Sequence, residues 1–434
     1  MRFNPYFCRI VNESKSIAFH TLGCKLNFSE TSTLSRLFDK EGFEKREFNQ
    51  DADVYVINTC SVTENADKEC KQLIRKVKRQ NPNSTVVITG CYAQLKAEEI
   101  GRIDGVDIVI GAGEKYNIVE HLKTYKKNGT AKVCSCDIDD VEGFHSSFSL
   151  NDRTRTFLKV QDGCDYSCTF CTIPLARGHS RSDTIQGVID NVKELQQTGI
   201  QEIVLTGVNL GDFGKGFNGN RTREENFYDL VVALDQQTTI PRYRISSIEP
   251  NLLTNEIIDY VAASRSFMPH FHIPLQSGSN VLLARMKRRY KRELYADRVA
   301  HIKSIMPHCC IGVDVIVGFP GETEELFQET YDFLHGLDIS YLHVFTYSER
   351  ENTPAIDMDG VVPIHVRKER NARLRDLSEK KMNFFTEQHL GQSRSVLFEQ
   401  SEKNGTMEGY SDNYIKVSIP FQAENVNTIV DVTI

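Results

Sequence analysis

Phe157-Leu158-Lys159-Val160 is a strand-like run, and within a few residues it leads into Cys164-Asp165-Tyr166-Ser167-Cys168-Thr169-Phe170-Cys171. The C-x3-C-x2-C group therefore sits on a loop at a strand's carboxyl end, the edge where α/β folds place reactive groups. Three thiolates at this spacing can hold three irons of a [4Fe–4S] cluster. No fourth cysteine lies beside them, so one iron keeps an open position, which marks catalysis rather than scaffolding. A zinc knuckle is the alternative. Zinc takes four ligands, and this spacing lacks the paired C-x2-C halves of such sites.

Five more strand candidates follow, at 202–205, 243–246, 270–274, 312–317 and 341–345. Six βα units are fewer than the eight that close a TIM barrel, which predicts an open, partial (β/α)6 barrel over 153–372. Upstream, runs at 17–20, 53–57, 85–88 and 106–110 alternate with segments of helical period at 30–40 and 66–79. That alternation predicts an α/β domain with a Rossmann-like parallel sheet over 16–126. The polar, Gly/Ser/Asp-rich stretch 127–152 reads as a linker, and 1–15 as an N-terminal extension. Beyond a basic helical stretch at 366–389, runs at 393–398, 414–419 and 428–434 alternate apolar and polar around Asn404-Gly405 and Asp412-Asn413. They predict a small antiparallel β-barrel, assigned to 373–434.

The 434 residues carry 52 Lys+Arg against 59 Asp+Glu, a formal net charge of −7, and 12 cysteines. No apolar run approaches the roughly 18 residues of a membrane span, and 1–15 lacks the apolar core of a secretory signal, so a cytoplasmic protein is expected. The cytosol keeps thiols reduced, which turns regularly spaced cysteines toward metal or redox roles. Cys24, Cys60 and Cys91 each end a first-domain strand, spaced 36 and 31 residues apart. Strand carboxyl ends share one edge of a parallel sheet, so these three can converge on a second cluster with its own open iron. Three buried, inert thiols are the alternative. Cys8, Cys70, Cys309 and Cys310 have no ligand-like spacing, and the Cys134-x-Cys136 pair reads as solvated linker, with a metal or redox role as the alternative.

The acidic balance excludes a protein that simply coats nucleic acid; RNA contacts must be local. Arg285, Lys287, Arg288, Arg289, Lys291 and Arg292 place six cations in eight residues around Tyr290. Such a run supplies phosphate contacts, or else is a solvated face. A second basic helix, with Lys68, Lys71, Arg75, Lys76, Lys78 and Arg79, carries the same two readings.

Cys164, Cys168, Phe170 and Cys171 resemble the radical S-adenosylmethionine (SAM) motif. With the three upstream cysteines, and with 21–27, 58–63 and 275–279, the chain from about residue 16 onward resembles the radical SAM methylthiotransferases. Met286-Lys287-Arg288-Arg289-Tyr290 and Lys25 are most similar to the MtaB group, the branch acting on threonylcarbamoyladenosine in tRNA. The resemblance implies two [4Fe–4S] clusters and SAM as cofactors, with Cys164, Cys168 and Cys171 holding the cluster that chelates and cleaves SAM. It implies an auxiliary cluster on Cys24, Cys60 and Cys91 that carries the sulfur, a TRAM-like RNA-binding C-terminal module, and methylthiolation at C2 of the modified adenosine beside the anticodon. No side chain is expected to act as acid or base. Phe170, Thr206, Gly207, Asn209, Ser246, Glu249, Gln276 and Val317, on loops at the same barrel face, are expected to hold the cofactor. Expected partners are tRNA carrying threonylcarbamoyladenosine, a flavodoxin- or ferredoxin-like electron donor and a sulfur source, with no membrane. The rival readings are methylthiolation of a ribosomal-protein aspartate or of isopentenyladenosine in tRNA, and a non-catalytic iron–sulfur RNA-binding protein.

Overall fold

The structure, a computed structural model, describes residues 15–61, 64–150, 154–216 and 225–434, without the side chains of 64, 65 and 401–403. The extension with Cys8, two residues of the 58–63 motif, and the start of the expected barrel at 153 lie outside the described residues.

The first domain is a six-stranded parallel sheet, ordered β2-β1-β3-β4-β5-β6. Its strands are β1 (Ser16–Thr21), β2 (Glu44–Arg46), β3 (Val54–Thr59), β4 (Thr85–Gly90), β5 (Ile108–Ile110) and β6 (Lys132–Cys134). All six residues of β3 are buried, because a central parallel strand is covered on both faces. Tyr55 and Ile57 face Cys70, Ile74 and Val77 of α2 (Glu64–Gln80). Val54 and Val56 face Leu34 and Phe38 of α1 (Lys25–Lys40).

The stretch 127–152 is not the free linker its composition suggests. Within it β6 extends the first sheet, and β7 (Ser147–Phe148) pairs antiparallel with β8 (Arg155–Lys159) of the second domain. Runs of three and two residues are too short to show alternation, and only backbone pairing with a neighbour makes them strands.

Two short segments, β9 (Gln161–Asp162) and β10 (Arg181–Ser182), pair antiparallel and pinch off the loop bearing Cys164, Cys168 and Cys171. The parallel barrel strands then continue as β11 (Glu202–Thr206), β12 (Arg242–Ile245), β13 (His270–His272), β14 (Cys310–Val317) and β15 (Tyr341–Thr346). Ladders join β8, β11 and β12, and separately β13, β14 and β15. Single bridges Tyr243–Phe267 and Ser247–His272 connect the two blocks. The result is the expected six-stranded partial barrel, filled by one large apolar core that includes Cys309.

The helix Ile364–Glu387 runs unbroken across the expected domain boundary at 372/373. Its Leu374 and Leu377 join the barrel core, and Arg370 holds Glu322 at 2.9 Å. The β module therefore starts later, at β16 (Ser393–Lys403), and continues through β17 (Thr406–Ser411), β18 (Lys416–Pro420) and β19 (Ile429–Thr433). These four strands form an antiparallel sheet ordered β18-β17-β16-β19. Sequence analysis missed β17, Thr-Met-Glu-Gly-Tyr-Ser, whose composition reads as a turn while its residues alternate in burial. Among the described residues no helix is long and apolar enough to cross a membrane.

Candidate active site in the barrel lumen

The pinched loop aims a donor at each of its thiols. Tyr166 N–H donates to Cys164 Sγ at 3.4 Å, Ile173 N–H to Cys171 Sγ at 3.4 Å, and Arg288 Nη1 to Cys168 Sγ at 3.1 Å. Burial pushes the Cys164 and Cys171 thiols up to about 12. Such thiols ionise only when a cation takes the proton's place, as a metal does. Hydrogen bonds onto sulfur disperse the charge of iron–sulfur ligands. The three residues fit a [4Fe–4S] cluster.

In the first domain, Cys24 and Cys91 share one local construction. Each follows a strand and a glycine at φ +100, and each begins a helix, Cys24 capping α1 and Cys91 opening α3 (Cys91–Leu95). A Cβ on Gly23 would lie 2.8 Å from Cys60 Sγ, and one on Gly90 would lie 2.3 Å from Thr59 O. Glycine at both positions thus leaves the space that brings the three thiols to one edge. Cys24 opens toward the lumen although protein surrounds it on most sides. Burial pushes its thiol up, and the Arg177 guanidinium pulls it back down.

Arg177 comes from the second domain, on the Ile173–Arg177 helix just beyond Cys171. It bonds Glu30 at 3.0 Å, Asp162 at 2.9 Å and Asn27 at 2.7 Å. Thr172 Oγ1, next to Cys171, donates to the carbonyl of Ser61, next to Cys60, at 3.4 Å. The two triads are thereby neighbours across the domain junction. Among the described residues no three His, Cys, Asp or Glu side chains gather as a single ion requires.

A cavity of about 520 Å³ fills the lumen, lined by Cys24 and Lys25 from the first domain, barrel residues including Asp314 and Phe345, and Tyr414 of the β module. A second, of about 230 Å³, is lined by Phe170, Cys171 and Gln276, and shares Asp314 and Phe345 with the first. The two adjoin, one reaching each triad.

The expected cofactor residues divide between them. Thr206, Gly207 and Ser246 line the larger cavity, Phe170 and Gln276 the smaller. Gln276 holds φ +70, a costly conformation for a residue with a side chain, which concentrates at binding sites. Among the described residues, Asn209 Oδ1 and Glu249 Oε2 are buried without a hydrogen-bond partner. These unsatisfied acceptors near the Cys164–Cys171 loop suit an ammonium group such as that of SAM. Val317 is different: it sits in the apolar core at the end of β14.

The basic run does not act as one surface. Arg288 turns inward, its side chain 4% exposed, and pairs with Glu249 at 2.7 Å as well as with Cys168. Arg285 pairs with Asp359 at 2.6 Å, and Arg292 with Glu329 at 2.6 Å. Arg289 lies 3.8 Å over the Tyr166 ring. Lys287 and Lys291 are exposed. In α2, Lys71 pairs with Glu99 and Lys78 with Asp107, each at 3.0 Å.

Sequence reasoning missed Glu30, Lys159, Asp162, Arg177 and Asp314. The available signal was a single charge inside an apolar strand, as in Phe157-Leu158-Lys159-Val160 and Val313-Asp314-Val315. An ionisable group there must be paired or used.

Two family profiles match the chain: an uncharacterized protein family, UPF0004, over residues 16–111, and the radical SAM superfamily over 158–334. The chain is similar to the threonylcarbamoyladenosine tRNA methylthiotransferase MtaB of Bacillus subtilis, 41% identical over 96% of this chain and 93% of that protein. It is 30% identical, over 98% of this chain and 83% of the other, to a tRNA-2-methylthio-N(6)-dimethylallyladenosine synthase of Staphylococcus epidermidis. The radical SAM methyltransferase TsrM of Kitasatospora setae shares the fold, with a TM-score of 0.58 over 79% of this chain and 77% of that one, at 14% identity.

Proposed function

The chain belongs to the MtaB group of radical SAM methylthiotransferases, and we propose on that premise that it methylthiolates C2 of N6-threonylcarbamoyladenosine in tRNA. Its cofactors are two [4Fe–4S] clusters and SAM. The observation that carries the reading is the pair of adjoining cavities, one reaching Cys24 and the other Cys171.

Cys164, Cys168 and Cys171 would hold the SAM-binding cluster, and Cys24, Cys60 and Cys91 the auxiliary one. When bound, these groups supply hydrogen abstraction from an aromatic carbon and the sulfur and methyl to be transferred, chemistry that acid–base groups cannot reach at neutral pH. The chain's own residues position and exclude. Arg288 neutralises Cys168 and orients Glu249. Phe170 and Gln276 would hold the cofactor in the smaller cavity, with Asn209 and Glu249 taking its ammonium group. The aromatic walls of the larger cavity, Phe28, Phe157, Phe345 and Tyr414, offer faces on which a purine stacks while water is kept out. Lys287, Lys291 and the TRAM-like β module would contact the tRNA backbone. A low-potential electron carrier and a sulfur source complete the reaction, in the cytoplasm.

Isopentenyladenosine is the weaker reading, because the relative named for the dimethylallyl substrate is more distant than the one named for threonylcarbamoyladenosine. Two experiments test the proposal. Anaerobically reconstituted protein should hold about eight irons, and Cys24→Ala, Cys60→Ala or Cys91→Ala should each remove about half. Unchanged iron in these variants would defeat the auxiliary site. Deleting the gene should remove 2-methylthio-threonylcarbamoyladenosine from tRNA hydrolysates while the unmodified nucleoside accumulates. Loss of the isopentenyl counterpart instead would overturn the substrate.

A further inference from the structure

The larger cavity holds more positive charge than its neighbours cancel. Arg244 is fully engaged, by Glu202 at 2.8 Å and by the carbonyls of Ser411 and Asp412 at 2.7 and 2.9 Å. Arg155 holds Glu399 at 3.0 Å and lies 4.4 Å over the Tyr410 ring. Across the lumen, the Asp314 carboxylate is taken by His272 Nε2 at 2.8 Å. Lys25 is the exception. It opens α1 directly after Cys24 and lines the same cavity, yet its ammonium makes no hydrogen bond or ion pair among the described residues.

An ammonium withdrawn from bulk water without a partner is costly, and a cavity that keeps one is built for an anion. Of the groups on a threonylcarbamoyl-modified adenosine, the end of the threonyl arm is the anion, a carboxylate ionised at neutral pH. A dimethylallyl arm is uncharged and apolar. The cavity volume of about 520 Å³ lies within the roughly 300–1,000 Å³ of sites that enclose a small molecule.

We propose that Lys25, with Arg155 beside it, binds the carboxylate of the threonylcarbamoyl arm and so selects it over an uncharged arm. The assignment rests on the reading of the chain as a threonylcarbamoyladenosine enzyme. Selection of this kind is strong because an uncharged arm leaves the half-buried cation unpaired. The position of Lys25, one residue from a proposed cluster ligand, also fixes the arm's far end relative to Cys24.

The test uses holoprotein and two anticodon stem-loops, one carrying threonylcarbamoyladenosine and the other its threonine methyl ester, which removes the negative charge and adds one methyl group. Binding is measured directly, apart from turnover. Wild-type protein should bind the acid about tenfold or more tighter than the ester, as charge-assisted pairs allow. Lys25→Met should bind both at the ester's affinity with its iron content unchanged, and Lys25→Arg should restore the preference. Equal wild-type affinity for acid and ester overturns the assignment whether or not the Met variant folds, as does a preference that survives in Lys25→Met. The two levels separate cleanly. Wild-type protein that methylthiolates the acid stem-loop but does not distinguish it from the ester loses only the Lys25 assignment. Protein that fails to methylthiolate the acid stem-loop loses the substrate reading beneath it.

Discussion

Arg288 and Lys287 are neighbours in one run of cations, yet their side chains part. The helix Asn280–Arg285 ends just before them, and Lys287 takes φ +55, the left-handed turn that commonly closes a helix. The chain then reverses, carrying Arg288 inward to Cys168 and Glu249 and leaving Lys287 in solvent. Burial raises the Glu249 carboxyl and Arg288 brings it back. Arg288→Ala therefore strands a buried carboxylate beside the thiol loop. It should cost the SAM-binding cluster, lowering bound iron from about eight to about four per chain. Lys287→Ala should keep its iron and weaken tRNA binding, with the salt dependence of affinity shallower by about one ion. Iron assay and a salt titration separate the two.

At the scale of the element, α1 shows what a polar helix face can conceal. Asn27, Ser29, Glu30, Thr31 and Ser32 are all buried, Asn27 and Thr31 against the first-domain sheet and Ser29, Glu30 and Ser32 against the barrel edge. Ser29 Oγ lies 3.1 Å from Ser147 Oγ, and Arg36 donates to Phe148 O at 2.9 Å. Glu30 is the centre of this junction, meeting Lys115 at 2.6 Å, Lys159 at 3.2 Å and Arg177 at 3.0 Å. Arg177, Lys115 and Lys159 outweigh burial and hold its carboxyl far below the usual range. Glu30→Gln leaves three buried cations with only Asp162 between them and should cost about 3–5 kcal/mol in denaturant unfolding. The depressed folded pKa has a definite sign: its stabilisation is complete above the unfolded value near 4.3 and is lost as pH falls below it. The Glu30→Gln variant should lack that part of the acid loss.

For the whole molecule, the β module is a wall of the site as well as an appendage. Arg242 donates to Ser395 O at 2.7 Å and to Tyr410 O at 3.2 Å, and Arg244 to Ser411 and Asp412, so buried arginines of β12 tie barrel to module. His270 stacks on Tyr414 with ring centres 4.2 Å apart. Burial holds its imidazole well below the usual value, and Arg244, His272, Lys25 and Arg155 add repulsion. A lowered folded pKa means that stability is full above about 6.5 and falls as pH drops below it. The module should thus loosen as pH falls from 7 to 5. His270→Phe, which keeps the stack without the charge, should flatten that loss; proteolysis near residues 388–392 reports it.

Local chemistry made much of this protein legible. Strand periods predicted the parallel sheet and the six-stranded partial barrel, because those signals lie within one element and its next turn. Residues 132–134 and 147–148 became strands only through neighbours, and the β module's start moved to 393 because the preceding helix packs on the barrel. The assignment of charges was also tertiary. Sequence counts Arg288 with the cations of a surface run and leaves Arg177 unremarked, whereas the fold buries both beside thiols. A charge run carries no information about which way each side chain turns. Only packing decides which cations meet solvent, which meet carboxylates, and which, like Lys25, face the cavity unpaired among the described residues.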